Sequence, residues 1–478
     1  MSHEPVIGLE VHVQLRTRSK MFCGCPTEFG AAPNTQTCPV CLGFPGSLPV
    51  LNEAALLGAL KVAHAVNCSI SQQMKFHRKN YFYPDLPKNY QISQYDEPMS
   101  EHGHLSIKVN GAEKTVRIKR VHLEEDAGKL IHEEGENSSL VDFNRSGMPL
   151  LEIVSEPDIN SPGEAHEYLT ALKLLLRYLD ISDCDMEKGS LRCDANISVR
   201  KKGETSLGIK AEIKNMNSFK GVQAALEYEF KRQVKCIEGG ERIIQETRLW
   251  DPDKAVTVSM RSKEEAHDYR YFPEPDLVPF TLPKDMQEAT KRSLPEFPEI
   301  RKRRFIDNLG LPEYDAEVLI QDKDLADYFE DCLKFYDKPK TVSNWIMGDI
   351  SAFLNAKALR IKDIKLKVNP QALAGLFREI DSGRISGKMA KDIILEMLET
   401  GKDASKIIEE KGLAQISDGA SLDKVADEVI AENKKTAEDF LKGKENALMF
   451  LVGQVMKKTK GRANPAVINE ILRRKLSK

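Results

Sequence analysis

Apolar and polar residues alternate strictly through Leu9-Glu10-Val11-His12-Val13-Gln14-Leu15. That pattern predicts a strand with Leu9, Val11, Val13 and Leu15 toward a core and with Glu10 and His12 together on the opposite face. The same arithmetic over residues 191–199 groups Arg192, Asp194, Asn196 and Ser198, and over 209–214 it groups Lys210, Glu212 and Lys214. His122 and Glu124 alternate with Val121 and Leu123, just ahead of Glu125 and Asp126. A helix is predicted after Ser161: Ser161 caps, Pro162 fits the first position, Glu164 completes a capping box, and Ala165, Tyr168, Leu169, Leu172, Leu175, Leu176 and Leu179 form its apolar stripe.

Seven of the 23 prolines fall between residues 273 and 312, a density that neither a long helix nor a central strand tolerates. Beyond it helical periodicity takes over, ending in a helix that Asn464 caps and Pro465 opens, with Val467, Ile468, Ile471, Leu472 and Leu476 as its stripe. The expected class is α+β. A mixed domain built on antiparallel sheet covers residues 1–294, an all-α domain 295–405, and a small helical tail 406–478.

Composition adds an exclusion. The 478 residues carry 70 Lys/Arg and 73 Asp/Glu, a formal charge of −3, so the chain is not a uniformly basic nucleic-acid coat. Residues 431–478 nevertheless hold twelve Lys/Arg against five Asp/Glu, a net +7, which leaves −10 for the rest. Such a tail suits a phosphate backbone or is simply a solvated lysine-rich surface. No run reaches the ~18 apolar residues of a membrane span, and residues 1–20 lack a signal-peptide pattern, so a cytoplasmic location without membrane partners is expected.

Four of the nine cysteines, Cys23, Cys25, Cys38 and Cys41, form C-x-C and C-x-x-C pairs twelve residues apart. Two close thiolate pairs can complete a tetrahedral zinc site with no open position, hence a structural one. The four polar strand faces collect acids beside histidine, arginine and lysine, which suits Mg²⁺ and phosphate, or else an ordinary solvated sheet face. Residues 75–85 interleave basic and aromatic side chains, as an unstacked nucleotide end requires or as an edge strand with core aromatics would show. G-x-x-x-x-G-K-[ST], G-x-G-x-x-G and H-E-x-x-H are all absent.

Longer motifs are more specific. Ile7-Gly8-Leu9-Glu10-Val11-His12, the stretch from Arg78 to Asp85, the stretch from Asp142 to Pro157, Gly189 to Asn196, Asp268 to Asp276, and Phe450-Leu451-Val452-Gly453-Gln454 resemble the GatB/GatE family, the B subunits of the aspartyl/glutamyl-tRNA amidotransferases, along the whole chain. The resemblance implies a cradle-shaped catalytic domain, a helical domain and a YqeY-like tail that contacts tRNA. It also implies ATP-dependent transamidation of Glu-tRNA(Gln) and/or Asp-tRNA(Asn) within a GatCAB heterotrimer, where a glutaminase subunit supplies ammonia and a small subunit completes the complex. Glu10, His12, Glu124, Glu125 and Glu152 match the family's acidic catalytic pocket, with Glu10, His12, Glu125 and Glu152 on magnesium. Arg192, Asp194, Asn196, Lys210 and Glu212 match motifs beside it, and Lys79, Tyr81 and Lys88 fall where the pocket meets the substrate end or ammonia route. Family members with the four cysteines bind zinc there. A non-catalytic tRNA-binding scaffold is the rival reading of the same tail.

Overall fold

A computed structural model describes residues 2–132, 138–262, 269–414, 419–459 and 463–477. Asp268, the first residue of one motif above, lies outside them. The chain divides into two compact units, Met1–Phe297 and Pro298–Lys478.

The first unit is organised by a nine-stranded sheet. Its strands are β1 (His3–Gln14), β2 (Ser69–Ile70), β3 (Ser100–Val109), β4 (Ala112–Glu125), β5 (Pro149–Ser155), β6 (Leu191–Lys201), β7 (Ala211–Lys214), β8 (Glu246–Asp251) and β9 (Val256–Ser262). They lie in the order β9-β8-β7-β6-β1-β5-β4-β3-β2. Every pair is antiparallel except β7 with β8, so the sheet is mixed rather than purely antiparallel. The parallel pair follows from the connection: the twenty-residue helix Phe219–Glu238 carries the chain back between them.

The alternation in β1 holds. Leu9, Val11, Val13 and Leu15 are buried, as are Leu123, Leu151, Ile153, Cys193, Ala195 and Ile197 of neighbouring strands. The helices Glu53–Ala65, Pro162–Tyr178 and Phe219–Glu238 contribute to the same core. Ser161 caps the second of these by accepting from Glu164 N–H. The expected capping box is not formed, because the Glu164 carboxylate accepts instead from Asn160 N–H at 2.7 Å and pairs with Lys114 at 2.6 Å. A cation in reach outcompetes the cap backbone for the carboxylate.

The second unit is helical among the described residues. Pro339, Pro370 and Pro465 each stand at the first turn of a helix, where a missing N–H costs nothing. Leu422, Ala426, Val429, Leu448, Leu451, Val455, Ile468, Ile471 and Leu472 form a hydrophobic cluster of their own. Several basic residues of the tail are answered locally: Lys458 by Glu428 and Glu432, Arg474 by Asp423, and Lys475 by Asp427. Among the described residues no helix is long and apolar enough to cross a membrane.

Candidate functional site

Strand register turns scattered residues into a row. On the polar face of the sheet His122 of β4 stands opposite Glu152 of β5, Glu152 opposite His12 of β1, and His12 opposite Arg192 of β6. A second row places Glu10 opposite Asp194, and a third places Asn196 opposite Glu212 and Glu212 opposite Thr247. Cross-strand neighbours lie ~4.5–5.5 Å apart, so residues distant in sequence share one wall.

That wall lines a cavity of about 680 Å³ holding Glu10, His12, Lys79, Tyr81, Asp126, Glu124, Glu152, Arg192, Asp194 and Glu212. His122 Nε2 is 3.1 Å from Glu152 Oε2, and His12 Nε2 is 3.7 Å from Glu124 and 3.8 Å from Glu152. One ligand atom each from His12, Glu124 and Glu152 all lie within 4.8 Å of one another. Burial opposes ionisation of Glu152, but His122, His12 and Lys79 outweigh it and hold the carboxyl well below the usual range. Lys79 is likewise penalised by burial and yet kept firmly protonated by Tyr271, Glu124, Tyr81 and Glu152 around it. Its ammonium lies 4.8 Å from the Tyr269 ring centroid. Burial raises the Tyr81 hydroxyl to about 12.

Arginine and acid pairs fix the next part of the wall. Arg192 Nη2 is 2.9 Å from Asp126 Oδ2, which also accepts from Gln14 Nε2 at 3.0 Å. Asn196 Nδ2 donates to Glu10 Oε1 at 2.8 Å. Lys214 bridges Asp194 at 2.7 Å and Glu212 at 3.5 Å, and Thr247 donates to Glu212.

Four expected members do not line the large cavity: Glu125, Lys88, Lys210 and Asn196. Glu125 follows Glu124 in β4, so its side chain leaves on the other face. There it pairs with Lys88 and accepts from Ile92 N–H at 2.9 Å, lining a separate cavity of about 200 Å³. The structure thus separates Glu125 and Lys88 from His12 and Glu152. Lys210 lies just outside β7, in a segment that passes close over the Val199 carbonyl at Gly208. It lines a third cavity of about 270 Å³ with Val6, Gly8, Glu10, Asn196 and Leu207. Glu10 lines both this cavity and the large one, whereas Asn196 lines only the smaller.

Sequence reasoning left several wall residues without a role. His122 and Lys214 were on the right faces by alternation. Tyr95, Arg145, Tyr269 and Tyr271 come from segments between the strands; Arg145, Tyr269 and Tyr271 fall within two of the family-like motifs, and no signal pointed to Tyr95. Tyr95 and Tyr271 stack at 4.3 Å between centroids.

The four cysteines converge as their spacing predicts, with all sulfurs within 4.8 Å of one another. In the knuckle, Leu42 N–H donates to Cys38 O at 3.0 Å and Gly43 N–H to Val40 O at 3.1 Å, with Gly43 at φ +71°. The Cys23 hydrogen bond, helped by Cys38 N–H and Lys20, lowers the Cys41 thiol to about 5 against burial, while burial raises Cys25 to about 11. Four soft sulfur donors this close together are the donor set of a closed tetrahedral site and fit a metal ion.

Residues 5–288 match the GatB/GatE catalytic domain and residues 327–476 the GatB domain. The chain is similar to the aspartyl/glutamyl-tRNA(Asn/Gln) amidotransferase B subunit of Caldanaerobacter subterraneus subsp. tengcongensis, 55% identical over 478 residues covering all of both chains. It is equally similar to the corresponding protein of Carboxydothermus hydrogenoformans, 55% identical over 479 residues covering all of this chain and 99% of the relative. The counterpart from Thermodesulfovibrio yellowstonii is 55% identical over 472 residues, 99% of each. With the sheet, its polar wall and both matched regions in agreement, the chain belongs to the GatB/GatE family of amidotransferase B subunits.

Proposed function

We propose that this chain carries out ATP-dependent transamidation of Glu-tRNA(Gln) and/or Asp-tRNA(Asn) in a GatCAB heterotrimer, together with a glutaminase subunit that supplies ammonia and a small third subunit. The observation that carries the reading is the row His122, Glu152, His12 and Arg192 with Glu124 above it in one cavity. A carboxylate is a poor acyl donor because its oxygen leaves badly. Transfer of the γ-phosphoryl group from ATP to the side-chain carboxylate releases ADP and gives an acyl phosphate. Ammonia then attacks the carbonyl carbon, phosphate departs, and the nitrogen sheds a proton.

Positioning and charge neutralisation are what such a transfer asks of the protein. His12, Glu124 and Glu152 would hold magnesium, and the two carboxylates are the hard donors that ion prefers. Bound there, the ion would neutralise phosphate oxygens. Arg192 and Lys79 add fixed positive charge in the same cavity, and Asp126 keeps Arg192 in place. The third cavity is lined by Val6, Val154 and Leu207 together with Glu10, Asn196 and Lys210, a mixture of apolar surface and polar groups that suits an adenine with its phosphates directed to the large cavity, which shares Glu10. Lys210 and Asn196 belong to that nucleotide end. Cys23, Cys25, Cys38 and Cys41 would hold a structural zinc ion.

The separate hydrophobic cluster from Leu422 to Leu476 supports reading residues 406–478 as a tail distinct from a helical domain over 295–405. Its basic residues meet tRNA. In the reconstituted heterotrimer, misacylated tRNA is expected to stimulate ATP hydrolysis, and a mere scaffold would show no stimulation. Removing residues 406–478 should raise the tRNA concentration for half-maximal stimulation, most at low salt and less as salt rises. An unchanged concentration at every salt would leave the tail a solvated surface.

A further inference from the structure

We infer that the cysteine knuckle positions the Lys88–Glu125 ion pair, so that loading the thiolate site with metal fixes a charged pair on the far face of the sheet from the acid wall. The inference rests on the proposed metal binding by the four cysteines but concerns what that binding holds in place.

The contact is made at Gly43. This residue sits at φ +71°, and a Cβ placed on it would fall inside contact distance of Lys88 Cγ and 3.2 Å from both Lys88 Cβ and Cδ. The glycine backbone therefore lies directly on the lysine stem, a contact only a residue without Cβ permits. Beyond the stem, the Lys88 ammonium pairs with Glu125 and lies 5.4 Å from the Tyr90 ring centroid. Both charged side chains are nearly sealed from solvent, at 8% and 4% exposure. Lys88 is thus held by the knuckle along its stem, an aromatic ring and a carboxylate at its tip.

The knuckle has few other anchors. Its turn is closed by hydrogen bonds from Leu42, Gly43 and Phe44 back to Cys38, Val40 and Pro39, all within itself. Its ties outward include Ser146 Oγ, which donates to Cys41 O at 3.4 Å, and one through sulfur: Lys20, fully buried, places its Nζ 3.7 Å from Cys41 Sγ and 3.4 Å from Phe143 O. Cys41 Cβ also sits 3.3 Å from where a Cβ on Gly147 would stand, and Gly147 N–H donates to Asp126 O. A buried ammonium facing a sulfur is satisfied when the sulfur is a thiolate, the state metal ligation requires. Metal loss removes the ligation that ties the four sulfurs together and so loosens the knuckle where it bears on Lys88, whose partner Glu125 is the residue after Glu124 of the large cavity.

The test is site-resolved amine acylation of the full-length chain with an N-hydroxysuccinimide ester, read by peptide mass analysis, with zinc content measured on the same samples. Four proteins are compared: wild type, C38S, G43A and G46A. Gly46 also has positive φ, at +83°, but nothing lies within 4 Å of a Cβ there, so G46A carries the backbone strain without the contact. Lys114, paired with Glu164, reports whether the fold is intact. The expected result is about one zinc per wild-type chain, a protected Lys88 in wild type and G46A, and a rise of about tenfold in its labelling in C38S and G43A with Lys114 unchanged. Zinc bound in wild type, absent from C38S, with Lys88 equally protected in both would overturn the coupling. Absence of zinc from wild type would remove the metal reading alone. In that case unequal Lys88 labelling in G43A and G46A still supports the knuckle contact, and equal labelling refutes it.

Discussion

Glu152→Gln lowers tRNA-stimulated ATP hydrolysis by about 10²- to 10³-fold, the scale of losing one preorganised charge at a reacting phosphate. Glutamine keeps the volume and an acceptor oxygen, so the loss isolates the charge. Glu152 stands nearer His122 than Glu124 does, at 3.1 Å against 3.9 Å, and His12 lies 3.8 Å from it. Its ionised form is favoured by those imidazoles and by Lys79 against the cost of burial. Neutralising it removes one of three candidate metal ligands and leaves Lys79 short of an opposing charge. Steady-state hydrolysis in the reconstituted complex, with assembly checked by size-exclusion, measures the effect. A variant within twofold of wild type would move the phosphoryl site away from this row.

Arg192→Met is expected to destabilise the first unit by about 1 kcal/mol at neutral pH, because it strips a buried carboxylate of its nearest cation, itself partly exposed, while Gln14 and Arg145 remain. Asp126 is 5% exposed and Arg192 stands 2.9 Å from it, while Arg145 is more distant at 3.6 Å. Burial works against the Asp126 carboxylate, and Arg192 first and then Arg145 reverse the balance to depress it below the ordinary value. A depressed folded value contributes stability above the unfolded carboxylate pKa that is lost as pH falls through the folded one. R192M forfeits that contribution, so its melting temperature should fall at pH 7 and less at about pH 2. Thermal melts across that range check it; equal losses at both pH values would mean that Arg192 acts through packing rather than charge.

Alternation made the site's raw material legible, because each strand carries its own evidence. Glu10 and His12 in β1 and Arg192, Asp194 and Asn196 in β6 are on the faces that period two assigns. Register was not legible. His12 and Arg192 are 180 residues apart, and which residue of β5 meets His12 depends on long-range pairing that no local pattern encodes. Glu125 shows the rule at its strictest: the acids at 124, 125 and 126 read as one cluster, yet one step along a strand reverses the face. Lys210 lies outside the strand that alternation drew through it, which begins at Ala211, and the chain before it crosses close over the Val199 carbonyl at Gly208.

The charge pattern is also changed by tertiary structure. The excess of basic residues after residue 431 is real, but acids at Asp423, Asp427, Glu428 and Glu432 stand beside Arg474, Lys475 and Lys458. Such exposed pairs contribute little to stability and much to lowering the local field. Any RNA surface there is more selective than a net +7 implies.

Everything proposed for the acid wall depends on one step, the passage of phosphate from ATP to the side-chain carboxylate of the misacylated tRNA on this chain. It can be observed by supplying the reconstituted complex with ATP labelled in the γ-phosphoryl group and with Glu-tRNA(Gln) or Asp-tRNA(Asn), withholding glutamine, and trapping the product with hydroxylamine. Labelled phosphate is expected on the aminoacyl-tRNA before trapping; hydroxylamine then displaces it as inorganic phosphate and leaves a side-chain hydroxamate, and both products are expected to be absent in the Glu152→Gln complex. Amide formation on adding glutamine without any phosphorylated aminoacyl-tRNA would contradict the proposed step.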